Sequence, residues 1–263
     1  MRALMTLTLV LTSIVPALAQ ARSPYLEDHT WPELRDLMAA GTTTAVVMAG
    51  GIEQNGPHMA LIKHNLIARH ISGQVAQRLG NALAYPVIPF SMAGDPIEKN
   101  NHMRLPGTIS LPSEVFLGVV RGVAASARSA GFKTIILMGD HGGGQNELGL
   151  VAQNLDGEWR GGGVRVLYVP QTAAAAQIAA WLKERNIPAG GHAGVAEAAQ
   201  VLALDDGRRY LRPDKYAAFA AGPDAATGGA PVNLAPITAE MGRTFLDMKI
   251  NDAVAQARKL TAK

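Results

Sequence analysis

The sequence predicts an α/β fold in which a mainly parallel sheet is covered by helices on both faces. Three observations lead there. Four short β-branched or apolar runs read as buried strands: Ala45 to Gly51, Tyr85 to Ser91, Thr134 to Gly139 and Val164 to Val169. Each is followed by Gly, Pro or polar residues and then by a helical pattern, so strand and helix alternate. No tandem repeat and no composition break divides the chain into smaller units.

The start of the chain stands apart from that pattern. Met1 and Arg2 form a short basic opening, residues 3–18 are almost wholly apolar or small, and Ala17-Leu18-Ala19 offers small residues where a signal peptidase reads. This predicts a signal peptide over residues 1–19, cleaved after Ala19, and a periplasmic or secreted protein. A membrane anchor is the competing reading, but the run is short and Pro16 interrupts it. Residues 20–263 are then one domain, long enough to bury a real core. The chain has no Cys, so disulfides, thiolate nucleophiles and thiolate metal ligands are all excluded.

The first predicted helix is His64 to Leu79, where Ile67, Ile71, Val75 and Leu79 repeat at a spacing of four and Gly80 supplies a C-cap. The second starts near Pro112 and runs towards Gly131, with Val115, Val119, Val123 and Ala127 as its buried stripe. Further helices are expected over Asn146 to Leu155, Thr172 to Arg185 and Gly194 to Leu204. Residues 221–237, rich in Gly, Pro and Ala, read as an extended loop, and a last helix follows from Thr238.

Charge excludes one large class of function. The formal net charge is +3 and the isoelectric point near 9.3, a small excess of bases with no basic stripe of the kind that binds nucleic acid. The densest basic group, Arg208, Arg209 and Arg212, lies beside Asp205 and Asp206 and reads as a solvated helix end.

Parallel sheets place their chemistry at the carboxyl ends of the strands, so the residues after each strand matter most. The first strand runs into Gly50-Gly51-Ile52-Glu53-Gln54-Asn55-Gly56-Pro57-His58. The third runs into Gly139-Asp140-His141-Gly142-Gly143-Gly144, and a later loop holds Gly190-Gly191-His192-Ala193-Gly194-Val195-Ala196-Glu197. Five of the seven histidines (His58, His64, His102, His141 and His192) lie in or near such loops. His and carboxylates without Cys suit Zn, Mn or a similar divalent ion; each His taken alone is as readily a helix cap or the partner of a buried carbonyl. A phosphate site at Gly139 to Gly144 lacks the Lys-Ser/Thr ending of a phosphate loop, and no Gly-x-Ser-x-Gly elbow is present. Lys63, next to His64, reads as a solvent-facing lysine or as a guide for an anionic substrate. Trp159 and Trp181 read as packing residues.

These residues resemble the creatininase family. Glu53-Gln54-Asn55-Gly56-Pro57-His58-Met59-Ala60-Leu61-Ile62-Lys63-His64 is similar to that family's Glu-Gln-His-Gly-Pro-His-Leu-Pro-Leu followed two residues later by Asp. The resemblance continues through His102, through Leu105 to Leu111, through Asp140-His141-Gly142-Gly143, through His192-Ala193-Gly194-x-x-Glu197 and into Thr238-Ala239-Glu240-Met241-Gly242. It implies a three-layer creatininase-like α/β fold and a metal-dependent hydrolase of non-peptide or cyclic amide C–N bonds, with Zn or Mn as cofactor. A small-molecule amide as substrate and a homo-oligomer, often a hexamer, are implied as well.

Residue by residue, the resemblance implies Glu53 and His141 as metal ligands, Glu197 as a ligand or an acid/base group, here taken as catalytic, and His192 as the catalytic His of proton transfer. His58, His102, Asn55 and Asp140 are the candidate substrate contacts. Two positions depart: the family's ligand His is Asn55 here, and its bridging Asp is His64. Three outcomes stay open. One metal is held by Glu53, His64 and His141; or two are held by a set reorganised around Glu197 and Asp140; or the metal is lost, leaving a non-catalytic ligand-binding protein on the same fold.

Overall fold

The structure, a computed structural model, describes residues 22–206, 209–217 and 233–262. The expected signal peptide, Arg208 and most of the expected 221–237 loop lie outside the described residues.

The sheet has four parallel strands, β1 (Thr44–Ala49), β2 (Ala82–Ala84), β3 (Thr134–Gly139) and β4 (Arg165–Tyr168), in the order β2-β1-β3-β4. Among the described residues seven α-helices accompany them: α1 (Trp31–Ala39), α2 (Lys63–Leu79), α3 (Ser113–Ala130), α4 (Gln145–Trp159), α5 (Thr172–Glu184), α6 (Val195–Leu204) and α7 (Ala239–Thr261).

Side-chain alternation along the strands divides the core in two. Val46, Met48, Ile136 and Met138 face α2, α5, α6 and α7, while Ala45, Val47, Ile135 and Leu137 face α1, α3 and α4. Both faces of the sheet are covered, as expected for a three-layer α/β protein. Trp159 and Trp181 both pack into these cores, the ring of Trp181 meeting Phe245 edge-on at 5.1 Å.

Two expectations need correction. Tyr85 to Ser91 is not a strand: only Ala82–Ala84 pairs with β1, and Ile88 and Ser91 make isolated bridges. Pro86 and Pro89 have no N–H to give a ladder, which stops the strand short. The buried stripe of α3 is Phe116, Val120, Ala124 and Ala127, whereas Val115 and Val119 are 45% and 38% exposed. Two apolar rows lie side by side on that helix, and the bulkier Phe116 decides which one turns inward. Helix α1 was not anticipated, although Thr30, Pro32 and Glu33 mark its start; the Glu33 carboxylate accepts from the Thr30 N–H at 2.7 Å.

Strand order positions the site. From β1 the chain moves outward one way to β2, then returns to β3 and continues the other way to β4. The gap beyond the ends of β1 and β3 is therefore a topological switch point, where parallel sheets form their ligand crevice. Ala49 and Gly139 sit in register across it, and the Asp140 N–H donates to the Ala49 carbonyl at 2.9 Å.

Candidate metal centre

The two loops that leave this switch point deliver Glu53 and His141, and α2 delivers His64 from its first turn. The loop after β1 is held by Asn55, whose amide donates to the carbonyls of Glu53 (2.9 Å) and Ala60 (3.0 Å). It is held again by the 209–212 segment, through Ala60 N–H to Tyr210 O and Arg212 N–H to His58 O, both 2.8 Å. The loop after β3 lies so close to its neighbour that a Cβ on Gly143 would meet the Met92 carbonyl oxygen at 1.9 Å. Gly143→Ala should therefore shift this loop and cost about 1–3 kcal/mol. A denaturant midpoint equal to wild type would contradict that contact.

Glu53 is the hub. Its Oε1 is 2.7 Å from His64 Nε2 and 3.0 Å from Lys63 Nζ; its Oε2 is 2.7 Å from His141 Nε2. His192 Nδ1 and His102 Nε2 stand further off, each 3.5 Å from a Glu53 oxygen. The other nitrogen of His64 meets Asp140 Oδ2 at 2.7 Å, and Asp140 Oδ1 accepts from Lys249 Nζ at 2.7 Å. Lys63 Nζ also donates to Glu197 Oε2 at 2.7 Å, the same oxygen that accepts from the Ala193 N–H at 2.6 Å.

The electrostatics follow from burial and partners. Burial opposes ionisation of Glu53, but hydrogen bonds from His141 and His64 and the charge of Lys63 outweigh it and hold the carboxyl well below its usual range. Burial likewise opposes ionisation of Asp140; Lys249 and His64 win and keep it a carboxylate. Burial and Lys63 press His64 downward, yet hydrogen bonds to Asp140 and Glu53 raise it overall. In His192, burial and Lys63 prevail and push the imidazole to about 4, so it is neutral at ordinary pH.

Hydrogen bonding also fixes tautomers. His192 Nε2 faces the Gln54 carbonyl at 2.9 Å, and a carbonyl can only accept; the Nδ1 lone pair thus faces Glu53 and the cleft. Gln54 Oε1 accepts from the Gly56 N–H, which leaves its amide nitrogen to donate to His102 Nδ1 at 3.0 Å.

Glu53, His64 and His141 bring their donor atoms within 4.8 Å of one another and are all buried. This set fits one divalent cation, and Glu53, His102 and His192 form a second, less buried set that shares Glu53. In each, two imidazoles and a carboxylate are the nitrogen and oxygen donors Zn and Mn take. Asp140 can hold a proton on His64 Nδ1 and so free Nε2 to ligate, the usual outer support of a metal-bound His. His141 differs: the Gly143 N–H donates to its Nδ1 at 2.9 Å, so Nε2 carries the proton towards Glu53 Oε2. Ligation through Nε2 requires that proton to leave or Nδ1 to turn donor to the Gly143 carbonyl, 3.3 Å away.

An open cleft of about 680 Å³ lies over the centre, walled by Glu53, His64, His102, His141, His192 and Glu197. Asp140 and Arg104 reach it too. The other expected substrate contacts sit elsewhere. Asn55 and His58 are fully buried behind the cleft wall, His58 bonding the Ala193 carbonyl at 3.0 Å and so tying the two loops together. Lys63 corrects its sequence reading outright, since it is buried between two carboxylates instead of facing solvent. Lys249 and Arg104 escaped sequence reasoning; Lys249 is one lysine on an amphipathic helix, 109 positions from its partner, with no local signal.

Fold and site together define an α/β protein with a buried His/Glu cluster, a candidate metal site, at the switch point of a parallel sheet. The model of the creatininase family, described as creatinine amidohydrolase, matches residues 27–262, and the chain belongs to that family. A creatinine amidohydrolase of Pseudomonas putida is 26% identical over 121 residues, 46% of this chain and 46% of that protein. The chain thus aligns with about half the length of that relative. Among solved structures, a creatininase variant of Zn–Zn type superposes with a TM-score of 0.73 at 20% identity, covering 91% of this chain and 98% of that one. A manganese creatininase gives 0.72 at 21% identity, covering 90% and 98%. A putative creatinine amidohydrolase from Bacteroides fragilis gives 0.58 at 14%, covering 81% and 88%. These structural likenesses establish the fold.

Proposed function

We propose that the chain is an exported, metal-dependent amidohydrolase that opens a small non-peptide or cyclic amide C–N bond, with one metal ion held by Glu53, His64 and His141. The observation that carries this reading is the convergence of those three buried donors beneath an open cleft. The apolar leader over residues 3–18 supports export to the periplasm or beyond. A Zn or Mn ion there would supply Lewis acidity towards a water and an amide carbonyl.

The chain's own groups do the rest. His192 offers the Nδ1 lone pair to the cleft and is neutral, so it can accept a proton from water and return it to the departing nitrogen. Glu197, ionised and held by Lys63 and the Ala193 N–H, keeps a negative edge beside that path. His102 is the cleft-wall donor for substrate, while Asn55 and His58 hold the loops in place. Arg104 gives the cleft a cationic rim for a polar substrate.

The test is hydrolysis of a panel of small amides, creatinine first because relatives carry that name, with and without chelator. Turnover that stops on chelation and returns with Zn or Mn supports the reading. A second reading, ligand binding without turnover, is favoured by one observation: Lys63, His64 and Lys249 already partner the buried carboxylates. Ligand affinity with no turnover at full metal loading would establish it in place of the first.

A further inference from the structure

Lys63 moves no proton in the chemistry above, yet it is among the largest fully buried side chains of the described residues and lies inside the centre. Its ammonium is 3.0 Å from Glu53 Oε1 and 2.7 Å from Glu197 Oε2, and its side chain has no exposure. Glu53 is buried and Glu197, 26% exposed, stands at the cleft wall, so the ammonium lies at the inner edge of the cleft and neutralises both carboxylates. The same stretch that introduces Lys63 lacks a His at Asn55 and an acidic residue at His64. Asn55 spends its amide on two backbone carbonyls, and its Oδ1 is buried with no hydrogen-bond partner. Those two positions therefore offer a second ion neither an imidazole nor a bridging carboxylate. The other donor set among the described residues, Glu53, His102 and His192, shares Glu53 and lies within reach of the Lys63 charge.

Charge points the same way. Glu53, Asp140 and Glu197 bring three negative charges, and Lys63 and Lys249 two positive. One divalent ion leaves the cluster near balance at +1, whereas two would leave +3 in a mostly buried space, which is strongly unfavourable. We propose that Lys63 is a built-in cation that takes the place of a second metal ion, neutralising the Glu53–Glu197 pair from within the chain. Creatininase of Zn–Zn type has the same fold, and here one of the two positive centres is part of the polypeptide.

This rests on the metal reading of the site, and the experiment separates the two. Zinc content and thermal midpoint are measured on the metal-free and zinc-loaded forms of wild type, Lys63→Met and Lys63→Met/Glu197→Gln. Wild type is expected to hold one zinc. Lys63→Met should take up a second, on Glu53, His102 and His192, with a lowered metal-free midpoint that zinc restores. The double variant, which removes both charges of the pair, should hold one zinc and show no extra zinc-dependent gain.

A Lys63→Met protein with wild-type zinc content and a wild-type zinc response would overturn the proposal. If Lys63→Met folds only when expressed with zinc, and then carries one more ion than wild type, the proposal stands; failure to fold with zinc while the double variant folds and binds as wild type overturns it. Zinc missing from wild type but present in Lys63→Met would sink the single-metal reading and keep this one.

Discussion

Glu53→Gln is expected to abolish stoichiometric metal binding and any metal-dependent hydrolysis while leaving the fold recognisable. Glu53 touches His64, His141 and Lys63 at once, and its side chain is only 2% exposed. A neutral amide of the same shape cannot balance a divalent ion there. It also leaves His64 and Lys63 each with one anionic partner instead of two. Removing one member of a buried charge pair typically costs about 3–5 kcal/mol, and the partners that remain, Asp140 and Glu197, should keep this loss near the lower end. Metal content read against thermal midpoint separates the effects. A variant with full metal content and full rate would remove Glu53 from the ligand set.

Asp140→Asn is expected to have the next largest effect, although Asp140 ligates nothing in this account. It holds His64 Nδ1 and receives Lys249, both at 2.7 Å. An asparagine can present an oxygen to only one of them. Loss of an outer carboxylate partner of this kind lowers metal affinity by about 10–100-fold. The pH dependence should change too. Asp140 is held below its usual range in the folded state, so its stabilisation is complete above about pH 4 and is lost as the pH falls below that value. Metal-free wild type should lose stability over that acidic window, and Asp140→Asn should lose less of it. Identical acid profiles for the two proteins would contradict the Asp140–Lys249–His64 link.

Much of this arrangement was legible in the residues. Alternation of apolar runs with helical stripes gave the layered parallel sheet, since a strand buried on both faces has little choice but to be apolar throughout. Glycine-rich loops after β1 and β3 marked the switch point, where backbone must pass close to backbone, as Gly143 does against Met92. Glu53, His64 and His141 were found because they sit in those loops or just beyond. Other features were not legible because long-range packing decides them. Nothing local to Lys63 distinguishes a buried counter-ion from a surface lysine, and Lys249 meets Asp140 only through the docking of α7. The inward row of α3 likewise depends on what Phe116 meets.

A metal ion on Glu53, His64 and His141 is read most directly from metal content. Wild type and His64→Ala, both purified without chelators, would be assayed by plasma mass spectrometry. About one Zn or Mn per wild-type chain is expected, with that ion lost in the variant. No metal in wild type, even after dialysis against Zn or Mn, would contradict it and leave a binding protein on a creatininase fold.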